Sequence, residues 1–291
     1  MFRRKMNYGG AWYPKHPAQC ERSILAYWDA PPPPGGRENG EARHGVVPHA
    51  GWMFSGRVAA RVFQALPDQP GLELVVVLGG HLGPGDPVVA MVEGSWETPF
   101  GDLPIHGGFR GKLETLPGVI FEGEQKFFPD NSTELQFPFV KYKYPHAELL
   151  PLRVPPGDMA IRLGRMLAEY LASSHRQAVV IASTDLTHYG PNYGFEPAGQ
   201  GEQALRWVRE ENDRAYIDAV ASGDSARILA SAQKRRNACS PGAVAALNEI
   251  AQPQSARFQA LEYATSSDVK PNDTLNFVGY MGGVFSREAG T

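Results

Sequence analysis

The sequence has 291 residues, 42% of them hydrophobic and 20% charged, with a formal net charge of −3. This is the composition of a folded globular protein with a sizeable core, and it gives no electrostatic ground for nucleic acid or an anionic membrane as a partner. No apolar run reaches the roughly 18 residues that a membrane helix needs. The basic start Met1-Phe2-Arg3-Arg4-Lys5 is followed by Asn7-Tyr8-Gly9-Gly10 rather than an apolar stretch, so a secretory signal is not expected. Two cysteines, Cys20 and Cys239, with no Cys-x-x-Cys, are too few for a disulfide framework; they point to a reducing cytoplasm, where either thiol is free to bind metal.

In chain order, residues 17–29 read as a helix with Pro17 in its first turn. The Pro- and Gly-rich run 31–40 cannot continue it and reads as a surface loop. A short strand at 44–47 precedes a helix through 57–66, for which Ser55 is the expected cap. Residues 72–78 are an apolar, β-branched run of the kind buried on both faces of a sheet. Residues 87–155 hold short extended pieces broken by Pro and Gly, read as extra strands and loops that extend the sheet in antiparallel fashion. A helix at 158–173, a buried strand at 178–182, helices near 201–221, 224–232 and 240–251, and closing strands near 257–264 and 275–285 complete the pattern. Alternation of strands and helices argues for a largely parallel central sheet flanked by helices on both faces, an α/β fold in a single domain over 1–291.

Open parallel sheets bind ligands beyond the carboxyl ends of their strands. Three buried strands each present a histidine there: His49 after Val46-Val47, His81 after Val75-Val76-Val77-Leu78, and His188 after Val179-Val180-Ile181. Any one alone is an ordinary loop residue. With only eight histidines in the chain, three at equivalent places point to a shared pocket. Neutral imidazole is the commonest metal ligand, and a carboxylate or thiolate usually completes such a site. Cys239, just ahead of a helix start that would lower its pKa, is the thiolate candidate. Asp185 and Glu134 are the carboxylate candidates, while Cys20 fits core packing. No Gly-x-Ser-x-Gly, Walker loop or His-Glu-x-x-His is present.

Several segments together resemble the Memo family, whose bacterial members are also called AmmeMemoRadiSam system protein B. They are Gly10-Ala11-Trp12-Tyr13-Pro14, Val47-Pro48-His49-Ala50-Gly51 with Ser55-Gly56, Leu78-Gly79-Gly80-His81 and Thr98-Pro99-Phe100-Gly101. Further along come Glu134 to Phe139, Ser183-Thr184-Asp185-Leu186-Thr187-His188-Tyr189, Cys239, Tyr263 with Ser266 and Asp268, and Val278-Gly279-Tyr280. The resemblance implies a fold similar to class III extradiol dioxygenases and a metal site of two histidines and a cysteine. Residue by residue these fall on His49, His81 and Cys239, with Asp185 and His188 lining the same pocket as acid–base groups, and with Asn131 and Glu134 also in it. It implies Fe(II) as cofactor, with Zn(II) or copper as alternatives. The family name implies a radical SAM protein and an AMMECR-type protein as partners. The sequence departs from the family pattern at Asn131, where a histidine is common, at Ser240, where glycine is common, and at His106, where aspartate is common. Asn131 weighs against an acid–base role at that position, because an amide carries no titratable proton at neutral pH.

Three functions compete. One is a non-haem iron, dioxygenase-like oxidoreductase acting on an unknown small substrate. Another is a module that binds a peptide or small ligand without catalysis, in line with the phosphotyrosine-peptide binding associated with eukaryotic relatives. The third is a zinc-dependent hydrolase using the same three ligands. Cysteine and histidine suit both iron and zinc, so residue types alone leave the metal open.

Overall fold

The structure is a computed structural model and describes residues 2–31, 41–271 and 273–287. The loop expected at 31–40 lies outside the described residues beyond Pro31. The chain opens with β1 (Arg3–Arg4) and α1 (Pro17–Trp28), followed by β2 (Glu41–Val47), α2 (Trp52–Ala65) and β3 (Leu74–Gly79). Next come β4 (Val89–Met91), β5 (Ser95–Thr98), β6 (Gly101–Pro104), α3 (Arg110–Leu113), β7 (Ile120–Glu122), α4 (Asn131–Glu134) and α5 (Phe137–Lys143). Then follow β8 (Glu148–Arg153), α6 (Asp158–Ser174), β9 (Ala178–Ser183) and β10 (His188–Tyr189). A helical run is made of α7 (Glu202–Trp207), a π turn (Val208–Asn212) and α8 (Asp213–Ala221). The chain closes with α9 (Ser225–Arg235), α10 (Pro241–Ala251), β11 (Arg257–Thr265) and β12 (Phe277–Arg287).

Among the described residues, nine strands form one sheet in the order β10-β12-β2-β9-β3-β8-β4-β7, with β11 on β12. Its centre, β2-β9-β3-β8, is parallel, and β12 and β4 add antiparallel neighbours. Side chains alternate across a strand, so the central strands split cleanly between two cores. Val46, Leu74, Val76, Leu78, Val180 and Ala182 pack with α6, α8, α9 and α10. Val47, Val75, Val77, Val179 and Ile181 pack with α1, α2 and α5 on the other face. Covering both faces is what lets these strands be apolar at every position. β1, β5 and β6 form a separate small sheet.

Three expectations change. The second helix starts at Trp52, and Ser55 is not its cap: Ser55 lies inside the helix and its hydroxyl donates to the Ala50 carbonyl at 2.9 Å. The 87–155 stretch is not only strands and loops. It holds α3, α4 and α5, which are four, four and seven residues long, too short to show a helical period. β8 joins the parallel centre beside β3 despite Pro151. Leu149 accepts from His106 on the side away from β3 at 2.8 Å, and period two puts Pro151 on that same side. There β4 pairs only at Leu152 and Arg153, so the missing N–H of Pro151 breaks no ladder bond.

Helix α10 sets the height of one wall of the site, because it lies against α6 and the strand ends. Gly242 lets its first turn approach the Val154 carbonyl, 2.5 Å from where a Cβ would stand. Gly164 of α6 does the same against the Ala246 carbonyl, also at 2.5 Å. Gly164→Ala should therefore force the two helices apart and cost about 1–3 kcal/mol. Urea denaturation reads this directly, and an unchanged midpoint would contradict the close packing of α6 on α10.

Candidate metal centre

The site is built where β2, β9 and β3 end side by side. The Thr184 N–H donates to the Val47 carbonyl at 2.8 Å and extends the β2–β9 register past the strands. One residue on, Asp185 Oδ1 accepts the backbone N–H of His49 at 2.7 Å and of Ala50 at 3.3 Å. The Asp185 N–H donates to Cys239 Sγ at 3.2 Å, and the Cys239 N–H donates to the Asp185 carbonyl at 3.1 Å. Asp185 thus fixes both His49 and Cys239, although they lie 190 positions apart in the chain.

The ring of His49 is buried, and its Nδ1 is engaged by Ser183 Oγ at 3.0 Å. Gln136 Nε2 holds that hydroxyl at 3.2 Å and the Pro48 carbonyl at 2.9 Å. The free ring nitrogen, Nε2, stands 3.1 Å from Cys239 Sγ and 3.2 Å from His81 Nε2. The ligand atoms of the three residues all lie within 4.8 Å of one another. Bonds of about 2.0–2.3 Å to nitrogen and sulfur place neighbouring ligands of one tetrahedral ion about 3.3–3.7 Å apart. Two of the three separations stand near that spacing and the third lies within 4.8 Å, so the donors fit a single ion.

Charge couples the sulfur to the two imidazoles. Burial opposes ionisation of the Cys239 thiol, but the His49 and His81 imidazoles outweigh it and bring the thiol down to about 6. Burial likewise opposes protonation of His81, and Asp130 and Cys239 together push it up to about 10. In the metal-free protein the sulfur is thus drawn toward the thiolate beside a protonated His81, and an ion binding there would have to displace the His81 proton. Burial pushes the Asp185 carboxyl up, against the opposing charge of His188 and the N–H of His49.

A cavity of about 570 Å³ opens beside the cluster. His49, His81, Asn131, Asp185 and His188 line it, facing Trp12, Phe54, Tyr193 and Tyr280. Asn131 donates from Nδ2 to the His49 carbonyl at 3.0 Å. His188 is half-buried; its Nδ1 lies 3.1 Å from the Leu186 carbonyl and its ring meets Tyr193 edge-on. The hydrogen bonds of the Asp185 carboxylate go to backbone, not to His188. Glu134 stands apart from the cavity wall. Its buried carboxylate accepts the backbone N–H of Asn7 and Tyr8 at 2.7 and 2.8 Å and the Tyr13 hydroxyl at 3.0 Å, which straps the N-terminal arm to α4. His106 also lies elsewhere, between Glu148 at 2.7 Å and the Tyr170 hydroxyl at 2.6 Å. The segment carrying His188 is held by the buried Asp213, which accepts the Thr187 N–H at 3.0 Å and the Tyr263 hydroxyl at 2.8 Å. A Cβ on Gly279 would come within 1.9 Å of that carboxylate.

The family profile described as "Memo-like protein" matches residues 4–284. This chain belongs to the Memo-like family. A MEMO1 family protein of Thermococcus onnurineus is 32% identical over 253 residues, covering 84% of this chain and 86% of the relative. One from Methanopyrus kandleri is 33% identical over 248 residues, covering 83% and 82%. One from Methanothermobacter thermautotrophicus is 31% identical over 287 residues, covering 95% and 98%. The crystal structure of an uncharacterised protein from Escherichia coli K12 shares the fold, with a TM-score of 0.51 at 12% identity, over 83% of this chain and 99% of that one.

His49, His81 and Cys239, singled out from the sequence, come together in one cluster. Sequence reasoning missed the supporting residues Ser183, Gln136 and Asp130, and the aromatic wall of the cavity. Ser183 and Gln136 stood inside quoted motifs, but nothing in their spacing showed that they meet at His49. The charge on Cys239 gives a direct check. Alkylation by iodoacetamide, followed by peptide mass spectrometry on metal-free protein, should rise through a midpoint near 6 at Cys239. Cys20, fully buried and pushed up to about 12, should stay unmodified until the chain unfolds. A midpoint at the ordinary thiol value would contradict the imidazole–thiolate arrangement.

Proposed function

We propose that this Memo-like chain is a metal-dependent protein in which His49, His81 and Cys239 hold one divalent ion, iron by preference, beside a cavity that binds a small organic substrate for oxidoreductase chemistry. The observation that carries this reading is the convergence of two imidazole nitrogens and a thiolate within 4.8 Å at the end of a parallel sheet. Iron at this place supplies redox chemistry, and zinc in the same ligands supplies Lewis-acid chemistry.

The chain's own residues divide the remaining work. Ser183 and Asp130 face the outer nitrogens of His49 and His81, so both Nε2 atoms turn inward. The Leu186 carbonyl can only accept, so when the His188 ring is neutral its proton sits on Nδ1 and Nε2 is the nitrogen open to accept one. His188 is thereby set to take a proton from a substrate in the cavity it lines. Asp185 keeps the distance between His49 and Cys239 constant through its backbone bonds. Trp12, Phe54 and Tyr280 offer an apolar wall to the body of the substrate.

Protein purified without oxygen and offered Fe(II) should retain one equivalent per chain. His49→Ala and Cys239→Ala should each lose it while remaining folded. Retention of zinc but not iron by the wild type would move the reading to hydrolysis. A folded wild type that retains neither metal would overturn it.

A further inference from the structure

His81 is the weak corner of the cluster. It follows Gly80, which sits at φ +114°, in the loop after β3, and its side chain is 42% exposed. An exposed histidine on a loop samples several rotamers, whereas a ligand must present one nitrogen in one direction. Something has to hold this ring, and the residues around it show what does.

Asp130 Oδ2 accepts the His81 backbone N–H at 3.3 Å and lies 3.6 Å from the ring Nδ1. The opposite ring nitrogen, Nε2, is the one facing His49 at 3.2 Å. Asp130 is itself fixed on every side. Its Oδ1 caps α4 through the Ser132 N–H at 2.8 Å and also accepts the Ser132 hydroxyl. Ser132 Oγ in turn accepts the Gly80 N–H at 2.6 Å, so the loop is tied to α4 at two successive residues. Behind Asp130 runs a buried chain of alternating charge. Arg153 Nη1 lies 3.7 Å from Asp130, Arg153 Nη2 pairs with Glu122, and Glu122 pairs with Arg4 Nη1 at 2.8 Å. The Arg4 guanidinium stacks 3.8 Å from the centre of the Phe127 ring and 4.9 Å from that of Trp96.

From this geometry we infer that Asp130 is a positioning residue that holds the His81 ring against His49 and Cys239, and that the Arg153–Glu122–Arg4 chain fixes Asp130 in that role. The inference rests on the metal reading above, yet ring placement can be measured without metal. Arg153 and Glu122 are buried with partners on both sides, so a swing of the Asp130 carboxylate toward solvent would leave Arg153 Nη1 without its carboxylate neighbour. The arrangement gives His81 the support that Ser183 gives His49, from a residue in a different part of the chain.

The test uses Asp130→Asn, which keeps the cap of α4, and Asp130→Glu, which restores the charge. Two quantities are read: zinc affinity by competition with a chelator, and the nuclear Overhauser contact between the His49 and His81 rings in metal-free, histidine-labelled protein. The wild type should show that contact, since the ring centres are 4.9 Å apart. Asp130→Asn should lose the contact and bind zinc about 10–100-fold more weakly, and Asp130→Glu should recover both. A folded Asp130→Asn with wild-type contact and affinity overturns the inference. So does weaker zinc binding with the contact intact, which would be a charge effect alone. If Asp130→Asn does not fold, Arg153→Gln carries the same two readouts. If the wild type binds neither zinc nor iron, the metal function fails, and the ring contact alone decides the role of Asp130.

Discussion

The bond from the Asp185 carboxylate to the backbone of His49 and Ala50 is the interaction on which the site depends. A carboxylate taken out of water costs several kcal/mol unless charge-assisted hydrogen bonds replace its hydration. Here the replacements come from the turn that carries His49, and the same residue exchanges N–H and carbonyl contacts with Cys239. One buried side chain and its own peptide unit therefore set the distance between an imidazole and a sulfur from opposite ends of the chain. The sheet makes this possible by ending β2 and β9 level, with Val47 paired to Ser183.

Around that link, polar residues serve as supports for the ligands. Ser183 and Gln136 brace His49, Asp130 and Ser132 brace the loop of His81, and Asp213 with Tyr263 braces the segment of His188. Ser183, Gln136, Ser132 and Asp213 are buried, and their hydrogen bonds brace the cluster although all three of its ligands lie on loops. The N-terminal arm belongs to this scaffold. Arg4 ends the charged chain behind Asp130, and Asn7, Tyr8 and Tyr13 bind Glu134 at the other end of the same short helix. That arm also supplies Trp12 to the cavity, so the first residues of the chain help to shape the pocket.

Much of this was legible in the sequence, for physical reasons. The runs 72–78 and 178–182 could only be buried strands, because both their faces are apolar. The ends of these runs and of the strand at 44–47 then named His81, His188 and His49 by topology. Helix α6 was legible from apolar spacing over several turns. By contrast, α4 and α5 are too short to carry a period, and β8 reads as a broken strand because of Pro151. Ser55 looked like a cap because its side chain suits one, but the chain turns at Gly51 instead. Glu134 and Asp130 mark the limit most clearly. They flank one helical turn, yet one straps the N-terminal arm and the other faces a metal-ligand candidate. Only the pairing of distant segments decides between those roles, and local pattern carries no record of it.

The central claim is that a sulfur and two imidazole nitrogens meet at one ion. X-ray absorption at the zinc edge of the loaded protein tests it most directly. One sulfur at about 2.3 Å with nitrogens at about 2.0 Å is the expected first shell, and the sulfur should vanish in Cys239→Ser. A wild-type shell of nitrogen and oxygen alone would contradict it.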